Sequence, residues 1–266
     1  MSKAPEIYAL GRDGAESKRT NSHTLNSQHK LILDIVDGPI DRSVPLDKIF
    51  NVAEVATGTG LVSNNPDRYF HGFGISAAQF PPAPEGIELS VHDVLKPFPA
   101  KHHNRYDFVH SNFQAAVTNM LTILKPGGRL QWVEIDFTEL FNAESTLHPK
   151  AVETVQLWGD YIQQNNISQS APKALYSAFE KVDLVNVVNR SFPVRGREDL
   201  KIRAQNWQLQ FFSSVMPLLV LKSGQAANSD LAKEKAAQII GDLETAFAEG
   251  EVVDVRFSTL VGQKVQ

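Results

Sequence analysis

Apolar residues in this chain gather in short runs divided by glycine, proline and polar turns, and the runs define the expected elements. Ile49-Phe50-Asn51-Val52-Ala53-Glu54-Val55 reads as a buried strand ending at the turn Ala56-Thr57-Gly58-Thr59-Gly60. Further strands are expected at Tyr69 to Ile75, Ile87 to Val91, Tyr106 to His110 and Arg129 to Ile135. Helical signals lie at Ala115 to Leu124, stopped by Lys125-Pro126-Gly127-Gly128, and at Lys150 to Gln164, where Val152, Val155, Leu157 and Ile162 can share a face. Leu200 to Leu221 and Asp230 to Phe247 read as two more helices, the second capped by Ser229 or Asp230. Residues 1–30 are polar and helix-compatible ahead of the apolar patch Leu31 to Val36, and Val252 to Phe257 with Thr259 to Val261 reads as a late strand pair. Short strands at this spacing, each closed by Gly, Asp or Asn, predict an α/β fold with a mostly parallel sheet and crossovers.

Composition narrows the class. A length of 266 residues suits one large domain with a small lobe, and 42% apolar with 21% charged residues excludes collagen-like, coiled-coil and wholly disordered chains. The net charge of −4 gives no electrostatic reason to expect nucleic acid or an anionic membrane as partner. With no cysteine there is no disulfide, no thiolate metal site and no thiol nucleophile. Met1-Ser2-Lys3-Ala4-Pro5-Glu6 lacks the apolar stretch of a secretory signal, and the apolar run from Val215 to Leu221 is far shorter than a bilayer span of roughly 20 residues, so a cytoplasmic location is expected.

Thr57-Gly58-Thr59-Gly60 is the most informative turn. Glycines there permit close backbone approach to a nucleotide-like ligand at the carboxyl end of the first strand. The position three after Gly60 is Ser63, so the dinucleotide pattern Gly-x-Gly-x-x-Gly is not met. His102-His103 are adjacent in a polar loop and no His-Glu-x-x-His spacing exists, so no metal is expected. No Gly-x-Ser-x-Gly elbow anchors a hydrolase triad. Phe211, Phe212, Met216, Leu218 and Leu219 either line an apolar cavity or pack the lobe.

Several blocks occur in a recognisable order: Tyr8-Ala9-Leu10-Gly11-Arg12, Glu16-Ser17-Lys18-Arg19, Leu25-Asn26-Ser27-Gln28-His29, Thr57 to Gly60, His71-Gly72-Phe73-Gly74-Ile75-Ser76, Gln79-Phe80-Pro81, His92-Asp93-Val94 through Pro99, and Leu124 through Glu134. Over about residues 7–135 they closely resemble fungal class I S-adenosylmethionine-dependent methyltransferases of secondary metabolism, including the group that methylates thiols or nitrogens of diketopiperazines such as gliotoxin. The resemblance implies a Rossmann-like class I methyltransferase sheet, mostly parallel with a late antiparallel strand, plus extra N- and C-terminal helices. It implies an N-terminal helical lid over 1–45, and a methyltransferase-like domain over 46–266 with a helical substrate lobe at about 140–250.

By the same resemblance Thr57, Gly58, Thr59 and Gly60 lie under the methionine and ribose of S-adenosylmethionine, Gly74 and Ile75 end the second strand beside the ribose, and Asp93 and Val94 receive the adenine edge. Tyr8, Gln28 and His29 belong to the lid, and His29, His110 and Glu134 are the candidate catalytic groups, His110 as a base or as a residue shaping the pocket. The implied partner is a small-molecule metabolite, not nucleic acid or membrane, with a homodimer left open.

Three length changes and one lost ligand set the chain apart from the family pattern around the cofactor, and two of them weigh most. The family reads Gly-Phe-Asp-Ile-Ser where this chain has Gly74, and losing a carboxylate that accepts from both ribose hydroxyls costs about 1–3 kcal/mol, roughly 10- to 100-fold in affinity. Only Leu61 to Arg68 separate the glycine turn from the second strand, including Pro66, whereas a parallel connection needs a dozen or more residues. Three functions therefore stand: methyl transfer to an S, N or O nucleophile; a cyclisation, isomerisation or elimination on a fold that has lost its cofactor; or a non-catalytic partner.

Overall fold

The computed structural model describes residues 22–55, 67–77, 80, 86–111, 116–142, 147–182, 184–251 and 253–266. Tyr8, Thr57, Gly58, Thr59, Gly60 and most of the short connection Leu61 to Arg68 lie outside the described residues.

Seven strands form one sheet: β1 (Asn51–Val55), β2 (Tyr69–Gly74), β3 (Ile87–Val91), β4 (Tyr106–Ser111), β5 (Leu124–Asp136), β6 (Leu184–Pro193) and β7 (Arg256–Lys264). Their order is β3-β2-β1-β4-β5-β7-β6, with β1 to β5 parallel and β7 antiparallel to both of its neighbours. This is a Rossmann-like sheet, mostly parallel with one late antiparallel strand, and its order reverses between β1 and β4. Helices α1 (Ser22–Ile35), α2 (Val117–Ile123), α3 (Thr138–Asn142), α4 (Pro149–Gln164), α5 (Ala171–Glu180), α6 (Lys201–Lys222) and α7 (Ser229–Ala248) flank it.

Register partners share a face, so the two sides of the sheet can be read from the pairings. Val52, Phe70 and Phe108 point to one side, where they cluster with Val44, Ile49 and Val261 under the segment that follows α1. Ala53, Val55, Phe73, Val109, Leu130 and Trp132 point to the other and pack with residues of α2 and α5, among them Met120, Ile123, Leu175 and Phe179. Burial on both faces explains why β1 reads as a nearly unbroken apolar run. A third cluster joins α1, α4, α6 and α7 to Val133 and Phe257 at the ends of β5 and β7. Phe212, Met216 and Leu219 are buried in it, which settles their role as packing.

Several expected boundaries move, each for a local reason. Helix α2 ends at Ile123, close to the expected stop, but Lys125 to Gly128 already lies within β5 as an irregularity, because Tyr106 pairs with Leu124 and the next pairing joins Phe108 to Arg129; Gly127 takes φ +76° to make the detour. The cap of α7 is Asn228, whose side-chain oxygen accepts from the amides of Asp230 (3.1 Å) and Leu231 (3.0 Å), rather than Ser229 or Asp230. The late strand pair is one strand: Val253, Asp254 and Val255 are buried, with Gln208 donating to the Val253 carbonyl and Asp254 accepting from the Arg195 amide, so the sheet is entered only at Arg256. β6 and α5 were not expected, and β6 places part of residues 140–250 in the sheet itself.

Candidate active site

Strand order reverses between β1 and β4, and the carboxyl ends of such a pair are the usual ligand position in sheets of this kind. Glu54, His110 and Gln131 are register partners across β1, β4 and β5, share one face and are all buried. Gln131 fixes the covering segment: its amide donates to the Pro39 carbonyl at 2.9 Å and its oxygen accepts from the Asp41 amide at 2.7 Å. The Asp41 carboxylate in turn accepts from Arg190 Nε at 2.8 Å.

The segment so anchored carries α1, which brings His29 to the vicinity of His110. Burial above all, with a contribution from the nearby His29, pushes the His110 imidazole down to about 4. His29 is also lowered by burial, though less enclosed. Both are therefore neutral near pH 7. Glu134 is three residues beyond Gln131 along β5, so strand alternation turns it to the opposite face from His110. Its carboxyl is raised by burial, partly offset by the Ile135 amide that donates to it at 3.0 Å. The structure thus joins two of the three candidate catalytic residues and places the third across the sheet. On Glu134's side, Ser111 and Trp132 are register partners; the Trp132 side chain helps to hold the Glu134 carboxyl down, and Ser111 Oγ is buried with no hydrogen-bond partner among the described residues.

Gln28 lies on a different flank of α1. It lines a cleft of about 480 Å3 between α1 and α6, together with Leu31, Asp34, Arg203, Trp207 and Gln210. Asp34 and Arg203 pair across it at 2.5 Å. The sequence offered no sign of this cleft, because its α6 side is built from ordinary helix-surface residues.

An adenosyl cofactor can be tested against the ends of β2 and β3. Asp93 and Val94 sit immediately beyond β3, as the adenine position requires. Asp93 Oδ1 accepts from the Leu95 amide at 3.1 Å, and Asn119 donates to the Val94 carbonyl at 2.8 Å, tying this loop to α2. At the sugar side, the end of β2 is Gly74, and a methyl group there would lie 2.6 Å from Cε1 of Phe80. The aromatic ring fills the space into which an aspartate side chain would project. Ile75, next along, is 46% exposed. Of the described residues at the ends of β2 and β3, Asp93 carries a carboxylate and residue 74 carries none. Among the described residues no group of three or more His, Asp or Glu is placed to hold a metal, and no helix is long and apolar enough to cross a membrane.

No protein-family model matches the chain. Methyltransferase grgD of a Penicillium species is 25% identical over 251 residues, covering 83% of this chain and 86% of that protein. Methyltransferase psoC of Aspergillus fumigatus is 28% identical over 116 residues, covering 38% of this chain and 42% of its own length, so that match spans less than half of the relative. Among solved structures, phosphoethanolamine N-methyltransferase 2 of Haemonchus contortus, in complex with phosphomonomethylethanolamine and S-adenosylhomocysteine, superposes with a TM-score of 0.46 at 12% identity, covering 92% of this chain and 53% of that one. The chain is thus similar in sequence to fungal methyltransferases, over most of its length in the case of grgD.

Proposed function

We propose that the protein transfers a methyl group from S-adenosylmethionine to an S, N or O nucleophile of a small secondary metabolite. The similarity to methyltransferase grgD over most of both chains supports this reading, and the observation that carries it here is the meeting of His29 and His110 at the carboxyl ends of the central strands. The cofactor supplies an electrophilic methyl group, with Asp93 and Val94 the residues that would receive its base. What remains for the protein is to orient the acceptor and take up its proton. His29 suits proton acceptance better than His110. A base is most effective when its pKa lies near the working pH, and an imidazole held at about 4 is weak, whereas His29 is less enclosed and stands on the covering helix. His110 then serves as a neutral hydrogen-bonding group that shapes the acceptor site.

One observation favours a second reading. Phe80 against Gly74 removes the sugar-side contact, as expected of a fold that has given up its cofactor and performs a cyclisation, isomerisation or elimination. Calorimetric titration with S-adenosylmethionine separates the two. Binding, followed by a methyl mass gain on candidate acceptors with free thiol, amine or hydroxyl groups, supports methyl transfer, and no heat at millimolar concentration rejects it.

A further inference from the structure

We propose that Gly74 and Phe80 form an apolar wall at the sugar side of the nucleoside site, so that this chain holds an adenosyl ligand without reading its ribose hydroxyls. The proposal rests on the reading that such a ligand binds beyond β2 and β3.

The wall is built by the backbone. The Gly74 carbonyl accepts from the His92 amide at 2.8 Å, which locks the end of β2 to the end of β3. The Phe80 amide donates to the Ala77 carbonyl at 3.2 Å, a turn that folds the ring back over Gly74. With Cε1 at 2.6 Å and Cζ at 3.3 Å from a Cβ at that position, any side chain at residue 74 must displace the ring.

Ile75, Val91 and Leu95 flank the same strand ends and are about half exposed, at 46%, 59% and 50%. Among the described residues the carboxylate at this edge is Asp93, and its oxygens face the Leu95 amide at 3.1 Å and Lys96 Nζ at 3.8 Å within its own loop. Nucleotide-binding α/β sheets place an acid on the ribose hydroxyls just after the second strand. Here that place holds hydrocarbon, which offers van der Waals contact to a sugar ring and no hydrogen bond.

The consequence is a ligand preference. A site that hydrogen-bonds a hydroxyl discriminates against an analogue lacking it, by about tenfold for one ordinary bond and more for a charged acceptor. A site walled by Phe80 does not. The test is calorimetric titration of the native protein with S-adenosylhomocysteine and with its 2′-deoxyribose analogue, alongside the double variant Gly74→Asp/Phe80→Ala. Dissociation constants within about threefold of each other in the native protein, with a tenfold or greater preference for the ribose form in the variant, are expected. A tenfold preference already present in the native protein overturns the proposal and leaves the cofactor reading standing. A variant that binds but shows no preference for the ribose form overturns the placement of residue 74 at the sugar. Absence of binding by either ligand to the native protein overturns the cofactor reading, and this proposal with it. The native comparison decides the matter even where the variant fails to fold.

Discussion

The phenolic oxygen of Tyr106 lies 2.7 Å from Nδ1 of His71, at the amino ends of the parallel strands and away from the candidate site. It is also 3.2 Å from Nδ1 of His102, and His71 Nε2 is 2.9 Å from Ser90 Oγ. A hydroxyl has one hydrogen, so it donates to one imidazole and accepts from the other. Tyr106→Phe leaves His102 Nδ1 without this partner and His71 Nδ1 with only the longer contact to the Tyr69 hydroxyl at 3.3 Å, and should lower stability by about 1–3 kcal/mol. The urea midpoint reads this, while ligand titration should be unchanged. An unmoved midpoint would show that the network contributes nothing net.

Stability should fall with acidity in a defined window. His110 is held at about 4 by burial, and His71 is lowered too, by burial against the opposing pull of Glu88. Unfolded imidazoles take up a proton near pH 6.5 and these two do not, so between about pH 6.5 and 4 the unfolded state binds more protons. The stability of the native fold should therefore be level above about pH 7 and decline below 6.5. His110 alone accounts for roughly 2–3 kcal/mol of that decline. Urea unfolding at pH 7.5, 6 and 5 measures it, and His110→Asn should flatten the slope.

Two glycine-to-alanine changes should have opposite signs. At Gly128 a methyl group would meet the backbone oxygens of Lys125 and Asp107 at 2.9 and 3.0 Å, contacts that no side-chain motion relieves, so Gly128→Ala should cost about 1–3 kcal/mol. At Gly241, exposed on α7 with nothing within 4 Å, alanine should add roughly 0.5–1 kcal/mol. Thermal melts of the two variants check both.

Catalytic roles should separate by substitution. His29→Asn is expected to lower kcat by about 100-fold or more if it accepts the acceptor's proton, and to remove the acid limb of the pH–rate profile. His110→Asn should act mainly through KM. Equal losses in kcat from both would reverse the assignment.

Much of the sheet was legible in the chain. β3 falls at Ile87 to Val91, where apolar and polar residues alternate, and β1, β2 and β4 differ from expectation by a residue or two, because buried parallel strands carry their own signature. β6 was missed because it lies at the sheet edge with mostly polar or half-exposed residues such as Asn186, Asn189 and Arg190. The Asn228 cap lies beside Ser229 and Asp230, residue types that favour the same position, so the sequence does not single it out. At the site, Gly74 was recognised as a lost acceptor, yet nothing in the sequence said that Phe80 would occupy the space. That contact depends on a turn closing, and the pairing of His29 with His110 depends on Gln131 gripping a segment about ninety residues earlier. Contacts of such sequence separation leave no periodic trace.

The interposition of β7 imposes an order of events on the growing chain. β6 is synthesised first, yet its ladder partner is β7, which pairs with β5 along its other side. Until residues 256–264 have left the ribosome, β6 has no neighbour in register and β5 presents an unsatisfied edge. The half-formed sheet must wait with that edge open, so a pause in translation just before Arg256 would be the moment of greatest exposure to mispairing and to chaperone capture.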